Sequence, residues 1–258
     1  MKFDKELLLR LLGEFTAAAM IMCLLPMACI QTIAFPNDLL KTSIGCGLTI
    51  GVAYQIFNCV SGAHINPLVS VANCILGLIP ILTMLLYILC QLLGSVVGYL
   101  LFMGIVPGDI FSDSAFLSIP HPLIGDGQAL GIEFIATSTF ILFWCSVWDK
   151  RNESLQDGVS LKAAHLVTLL VLISVSTTLF VGYYTGGSFN PFRTLIPAII
   201  HNKYTKIWIY LLAQPIATIL KNKNLDIIPY KFLSTVKEYV YLIILFAFSG
   251  SIIFKVQC

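Results

Sequence analysis

Twice in this chain an apolar stretch breaks into small residues and then Asn-Pro: "SGAHINP" at 61–67 and "TGGSFNP" at 185–191. Irregular backbone is costly at membrane depth, where unpaired N–H and C=O groups find no water, unless it lines a wet cavity. A single Asn-Pro is ordinarily a surface turn. Two copies in matching apolar surroundings point instead to two interruptions of one kind, set inside a membrane protein.

The surroundings read as membrane sequence. Of 258 residues, 58% are apolar and 11% charged, against about a quarter charged in soluble domains. A net charge of +2 gives no footprint for nucleic acid. A spanning helix takes about 20 apolar residues. Candidate runs fall at 11–35, 43–60, 81–106, 129–148 and 163–184, with a shorter one at 206–220. The opening "MKFDKELLLRLLGEF" carries charges of both signs and leads into a run too long for a signal core, so it reads as a retained first helix.

Charge sets the orientation. Lys2, Lys5 and Arg10 mark the amino terminus, and Lys150, Arg151 and Lys162 mark 149–162. Residues 107–128 hold three Asp and no Lys or Arg. Cytoplasmic segments collect Lys and Arg, so the first two are expected inside and 107–128 outside. Six spans satisfy both. The sequon Asn152-Glu153-Ser154 then faces the cytoplasm and is expected to stay unused.

The two interruptions belong to a longer duplication. "LGEF" (12–15) resembles "GIEF" (131–134), and "YILCQ" (87–91) resembles "YLLAQ" (210–214). Glu14 and Glu133 lie 119 positions apart, Asn66 and Asn190 124, and Gln91 and Gln214 123. Near-equal offsets imply two copies of one unit, each with three spans and one interrupted segment. The repeats are expected at 7–106 and 129–220, within one domain over 1–220. Three spans per copy force opposite orientations, an inverted repeat with a pathway at its interface.

Gly62, Gly186 and Gly187 let the chain enter an irregular path. Pro67 and Pro191 suit a first helical turn, with Asn66 and Asn190 as caps. Short helices are expected at about 67–77 and 191–200. Their starts meet at the midplane and carry partial positive charge, a barrier to cations and protons. The Asn side chains offer N–H donors. Carbonyls of Gly62, Ala63, His64, Gly186, Gly187 and Ser188 offer acceptors. A neutral solute with hydroxyls exchanges water for these at little cost.

Other residues say less. None of the eight cysteines forms a C-x-x-C pair, so neither a metal site nor a disulfide scaffold is expected; they read as small buried apolar residues. His64 belongs to the first entry strand, His165 reads as a packed helix residue, and His121 and His201 as solvent-facing. Gly94-x-x-x-Gly98 predicts close helix contact. There is no Ser/His/Asp set, phosphate loop or paired catalytic carboxylate, so neither an enzyme nor a cofactor is expected.

These residues together resemble the aquaporin and aquaglyceroporin family over about 7–216. "WDKR" (148–151) and "YTGGSFNP" look most like insect members of its water-channel branch. The resemblance implies an all-α membrane protein of six tilted helices and two half-helices in an inverted repeat, with a pore in every subunit of a homotetramer. It makes Asn66-Pro67 and Asn190-Pro191 the pore motifs, and Glu14 and Glu133 the braces of the pore loops. A carboxyl inside an apolar run needs such a partner.

The family's selectivity constriction maps to Cys46, Thr178, Gly187 and Arg193. Water-selective members usually place an aromatic and a His where Cys46 and Thr178 stand, so the ring reads as wide, with Arg193 as its fixed cation. Snorkelling to the headgroups is the alternative for Arg193, but its place in "NPFR" favours the pore role. A wide ring is expected to pass glycerol or urea with water, although Thr194 stands where glycerol channels usually carry Asp. Cys46 also offers a thiol for mercurial block; a packed helix face is the alternative.

The usual Ala after each Asn-Pro is replaced by Leu68 and Phe192, which are expected to shift the half-helix starts or tilt the Asn residues. Lys221, Asn222 and Lys223 cut the sixth helix short, and 221–258 departs from the family pattern. Within it, 239–254 is open to three readings: a seventh span, an interfacial helix, or a sequence altered by splicing or a gene-prediction error. The expected function is a passive channel for water and small uncharged solutes that excludes protons and ions. Alternatives are an ion-conducting or adhesion-type relative and a poorly conducting intracellular member. The plasma membrane is the expected site, with the amino terminus cytoplasmic.

Overall fold

A computed structural model describes residues 5–30, 38–108, 116–147 and 159–222, and every element among them is a helix. The helices are α1 (Lys5–Ala28), α2 (Leu39–Ser61), α3 (Pro67–Ile75), α4 (Ile81–Ile105), α5 (Asp126–Val147), α6 (Val159–Thr185), α7 (Pro191–Ile200) and α8 (Ile207–Asn222). Two long helices, a short one and another long one occur twice in this order, as the duplication predicts. Five are long and apolar enough to cross a membrane. The sixth, α8, has 16 residues.

Local chemistry sets most boundaries. α1 begins at Lys5 rather than 11, because Glu6 and Arg10 pair one turn apart on its first turns. It stops at Ala28 rather than 35, where Pro26 closes the last turn and the Cys29 N–H bonds the Pro26 carbonyl at 3.0 Å. Asp38 caps α2 through the Lys41 N–H at 2.8 Å. Pro67 and Pro191 open α3 and α7 as expected. The run at 239–254 and the sequon at Asn152 lie outside the described residues.

α1 packs on α4, α5 on α8, and α2 on α6, while α3 and α7 meet in the middle. The α1–α4 contact depends on missing side chains. A Cβ at Gly94 would stand 2.2 Å from the Phe15 carbonyl oxygen, and one at Gly98 2.1 Å from that of Ala19. Met22, Tyr54, Val69, Tyr99, Phe102, Ile141 and Trp144 share one core cluster around the half-helices. Leu85, Leu89, Leu93 and Leu100 leave an exposed apolar stripe on α4, where a bilayer replaces water. The chain is an integral, multi-pass membrane protein.

Candidate functional site

The two entry strands take matching paths. Gly62, Ala63 and Ile65 have φ of 85°, 47° and 59°; Gly186, Gly187 and Phe189 have 80°, 58° and 52°. A positive φ at a β-branched residue such as Ile65 is strained by about 1–3 kcal/mol and persists only where its surroundings over-determine it.

Buried carboxylates supply that support. Glu14 Oε1 accepts from Ser61 Oγ at 2.6 Å and the His64 N–H at 2.9 Å; Oε2 accepts from the Ile65 N–H at 2.8 Å and Gln91 Nε2 at 2.7 Å. Glu133 accepts from Thr185 Oγ1 at 2.7 Å and Gln214 Nε2 at 3.0 Å, with a further bond from the Ser188 main chain. Both acids are fully buried. Two tyrosines complete the braces. Tyr87 donates to the Ser61 carbonyl at 2.9 Å and Tyr210 to the Thr185 carbonyl at 2.6 Å. The duplicated "Y…Q" pairs carried this signal, since both members of each pair hold a pore loop.

The caps then form as the residue types require. Asn66 Oδ1 accepts from the Leu68 N–H at 3.0 Å and Asn190 Oδ1 from the Phe192 N–H at 2.9 Å. Each Nδ2 reaches the opposite loop: Asn66 to the Phe189 carbonyl at 2.8 Å, Asn190 to the Ile65 carbonyl at 3.4 Å. One N–H of each amide thus ties the two half-helix starts together, and the second remains as a donor. Leu68 and Phe192 do not undo the caps; both are buried in the surrounding core.

Beside this junction lies a cavity of about 250 Å³. It is bordered by Asn66 and Asn190, by all four ring positions (Cys46, Thr178, Gly187 and Arg193), and by Ala63, His64, Gly186 and Ser188. Gly62 has a second part in the fold. It is not among the bordering residues but closes α2 as a left-handed cap, its N–H bonding the Asn58 carbonyl. Ile65 borders the cavity in its place.

Arg193 is no headgroup anchor. It is 8% exposed, its guanidinium lies 4.2 Å from the centre of the Phe116 ring, and it bonds the Phe116 carbonyl at 3.2 Å, Ser118 Oγ, and the Gly186 carbonyl at 3.4 Å. Phe116 and Ser118 lie within the acidic connection 107–128, which has no counterpart in the duplication, so no sequence signal marked them. Phe116 and Leu117 both border the cavity. So do Trp144 and Ser174, whose Nε1 and Oγ are buried without a protein partner. His64 bonds Ser70 at 3.1 Å and Asn73 at 3.2 Å.

Two readings need correction. His201 does not face solvent alone: its ring meets Tyr99 Oη at 2.9 Å, because it ends α7 against α4. Of the described cysteines only Cys145 is fully buried, the others standing on helix faces or at the cavity. All seven are free thiols, and no cluster of metal-ligating side chains occurs among the described residues.

Comparison with known proteins agrees with this architecture. The profile of the major intrinsic protein family matches residues 4–221. The lens fiber major intrinsic protein of Lithobates pipiens is 33% identical over 71% of this chain and 66% of its own length, just under two thirds. Aquaporin-2 of Rattus norvegicus is 31% identical over 81% of this chain and 74% of its own. The aquaglyceroporin structure from Plasmodium falciparum superposes with a TM-score of 0.74 at 22% identity, covering 89% of this chain and 99% of that one. The duplicated Asn-Pro caps, the buried carboxylate braces and a family match over most of the sequence lead to one conclusion: this chain belongs to the major intrinsic protein family, a family of membrane channels rather than enzymes.

Proposed function

We propose that the protein is a passive channel for water and for small uncharged solutes such as glycerol or urea, and that it excludes protons and ions. The observation that carries this reading is the junction of Asn66 and Asn190, each bonded to the other's loop beside a cavity that Arg193 also borders. Two helix starts aimed at one point repel cations, and Arg193 adds a full positive charge. Carbonyls of Ala63, His64, Gly186 and Ser188 take the place of water partners.

Passage of solutes larger than water draws support from the wall. Cys46 and Thr178, which border the cavity, are small. Phe116 supplies an apolar face beside the Arg193 donors. One apolar side and several polar groups suit a polyol, with carbons against the ring and hydroxyls toward donors and acceptors. The reading includes a homotetramer in the plasma membrane, with the amino terminus cytoplasmic.

Stopped-flow light scattering on proteoliposomes tests it with water, glycerol and urea. Water and glycerol flux above empty liposomes is expected. Cys46→Phe combined with Thr178→His should reduce glycerol flux at least about tenfold while water flux changes less, a difference of about 1.4 kcal/mol in barrier. Rapid water flux with no glycerol flux in the unaltered protein would sink the wide-ring reading. Current under voltage clamp would favour an ion-conducting relative.

A further inference from the structure

Two thiols stand together where the cavity meets the end of α1. Cys29 directly follows that helix and Cys46 lies on α2; both are partly exposed and both border the cavity. The backbones are close here, since a Cβ added at Gly45 would stand 2.8 Å from the Cβ of Ala28. Cys29 directly follows Ala28 and Cys46 directly follows Gly45, so the two thiol residues flank this close approach and line the same cavity. Arg193 borders the same cavity. A thiol that borders an aqueous cavity is open to a dissolved oxidant, and its thiolate is the form that attacks peroxides and disulfides. Neither the ring nor the Asn junction needs a pair of thiols.

We propose that Cys29 and Cys46 form a reversible dithiol–disulfide site at the cavity mouth, with hydrogen peroxide as its oxidant. The thiolate of one cysteine attacks the peroxide O–O bond, becomes a sulfenic acid and releases water. The sulfur of the second attacks the sulfenic sulfur, the S–S bond forms, and a second water leaves. In sum two thiols and one hydrogen peroxide give one disulfide and two waters; a reducing thiol or phosphine reverses the change. The bond would tie the end of α1 to α2 beside Arg193. Delivery of peroxide through an aqueous mouth rests on the channel reading, but the pairing of the sulfurs does not.

The test uses the full-length protein in proteoliposomes, exposed to hydrogen peroxide, blocked with N-ethylmaleimide and digested with trypsin. Lys41 lies between the two cysteines, so cleavage there leaves them on separate peptides. The expected result is joint loss of maleimide labelling at both positions, a linked peptide two hydrogens lighter than its parts, and recovery of both thiols with phosphine. In Cys29→Ser the linked peptide should vanish and Cys46 should label or carry sulfenic or sulfinic acid. Full labelling of both cysteines after peroxide, or separate oxidised acids with no linked peptide, would overturn the proposal. Water flux on the same liposomes separates the two claims. Linkage without flux breaks the channel reading and leaves the thiol site standing; flux without linkage breaks the thiol site alone.

Discussion

The two pore loops solve one problem with unequal means. Both enter through three residues of positive φ, but the first places Ala63 where the second has Gly187 (φ 47° and 58°). The first loop therefore stores more strain, and its brace is correspondingly stronger. Glu14 receives two backbone N–H groups directly, from His64 and Ile65, besides Ser61 and Gln91. Glu133 relies more on side chains, Thr185 and Gln214. The supporting helices differ likewise. α4 has 25 residues and approaches α1 through Gly94 and Gly98, whereas α8 has 16 residues and carries Ala217 at the position matching Gly94. Over its described residues α8 spans about 24 Å, at about 1.5 Å per residue. Duplication fixed the frame, and each copy then balanced strain against support in its own way.

The largest test of this asymmetry lies in the α1–α4 contact. Gly98→Val should remove the folded protein altogether, a loss above about 4 kcal/mol, because the new side chain meets backbone rather than a movable side chain. Ala217→Gly in the second copy should cost about 1 kcal/mol through helix propensity. Yield of monodisperse protein and thermal unfolding in detergent read both. Similar losses at the two sites would erase the distinction between the copies.

Removing the braces should have the next largest effect. Glu14→Ala strands four donors and is expected to cost about 3–5 kcal/mol. Glu133→Ala should cost less, by about 1 kcal/mol, since fewer strained backbone groups lose a partner. Unfolding midpoints of the two variants decide the order, and a larger loss at Glu133 would reverse the ranking of the loops.

The caps come third. Asn66→Ala and Asn190→Ala should each cost about 0.5–2 kcal/mol. Asn66 is expected at the upper end, because its bond across the junction is 2.8 Å against 3.4 Å for Asn190. Stability measured beside water flux would show whether the shorter bond matters more.

The smallest effects concern the strained position itself. Ala63→Gly should be neutral to stabilising by about 1 kcal/mol, relief of a left-handed backbone being offset in part by unfolded-chain entropy. Gly187→Ala should destabilise by about 1 kcal/mol or more, since its Cβ would also meet the Phe189 ring at 3.3 Å. Opposite signs would confirm that the first loop holds the excess strain; the same sign would remove it as an explanation for the stronger brace.

Much of the fold and part of the site were legible in the residues. Lack of water in the bilayer makes apolar run length a nearly complete guide to the spans, and equal offsets turned isolated residues into pairs. Thus Asn66 and Asn190 could be paired as caps and Glu14 and Glu133 as buried acids against the entry strands, because each type in its setting has few ways to be satisfied. Gln91 and Gln214 were visible as duplicates only. Tyr87 and Tyr210 were equally visible, yet a tyrosine beside an apolar helix has many uses. Gly62 also closes α2, because a glycine of positive φ serves a helix cap as readily as a pore strand.

From residue order alone came the inverted pair of half-helices, for the solvent leaves so few ways to place Asn-Pro in an apolar chain. Packing chose the rest. Phe116 lies under Arg193, His201 against Tyr99, and Cys29 and Cys46 on one cavity, each pair from segments that share no repeat offset. Contacts of that kind are set by where helix ends converge in space, and no local pattern encodes such convergence.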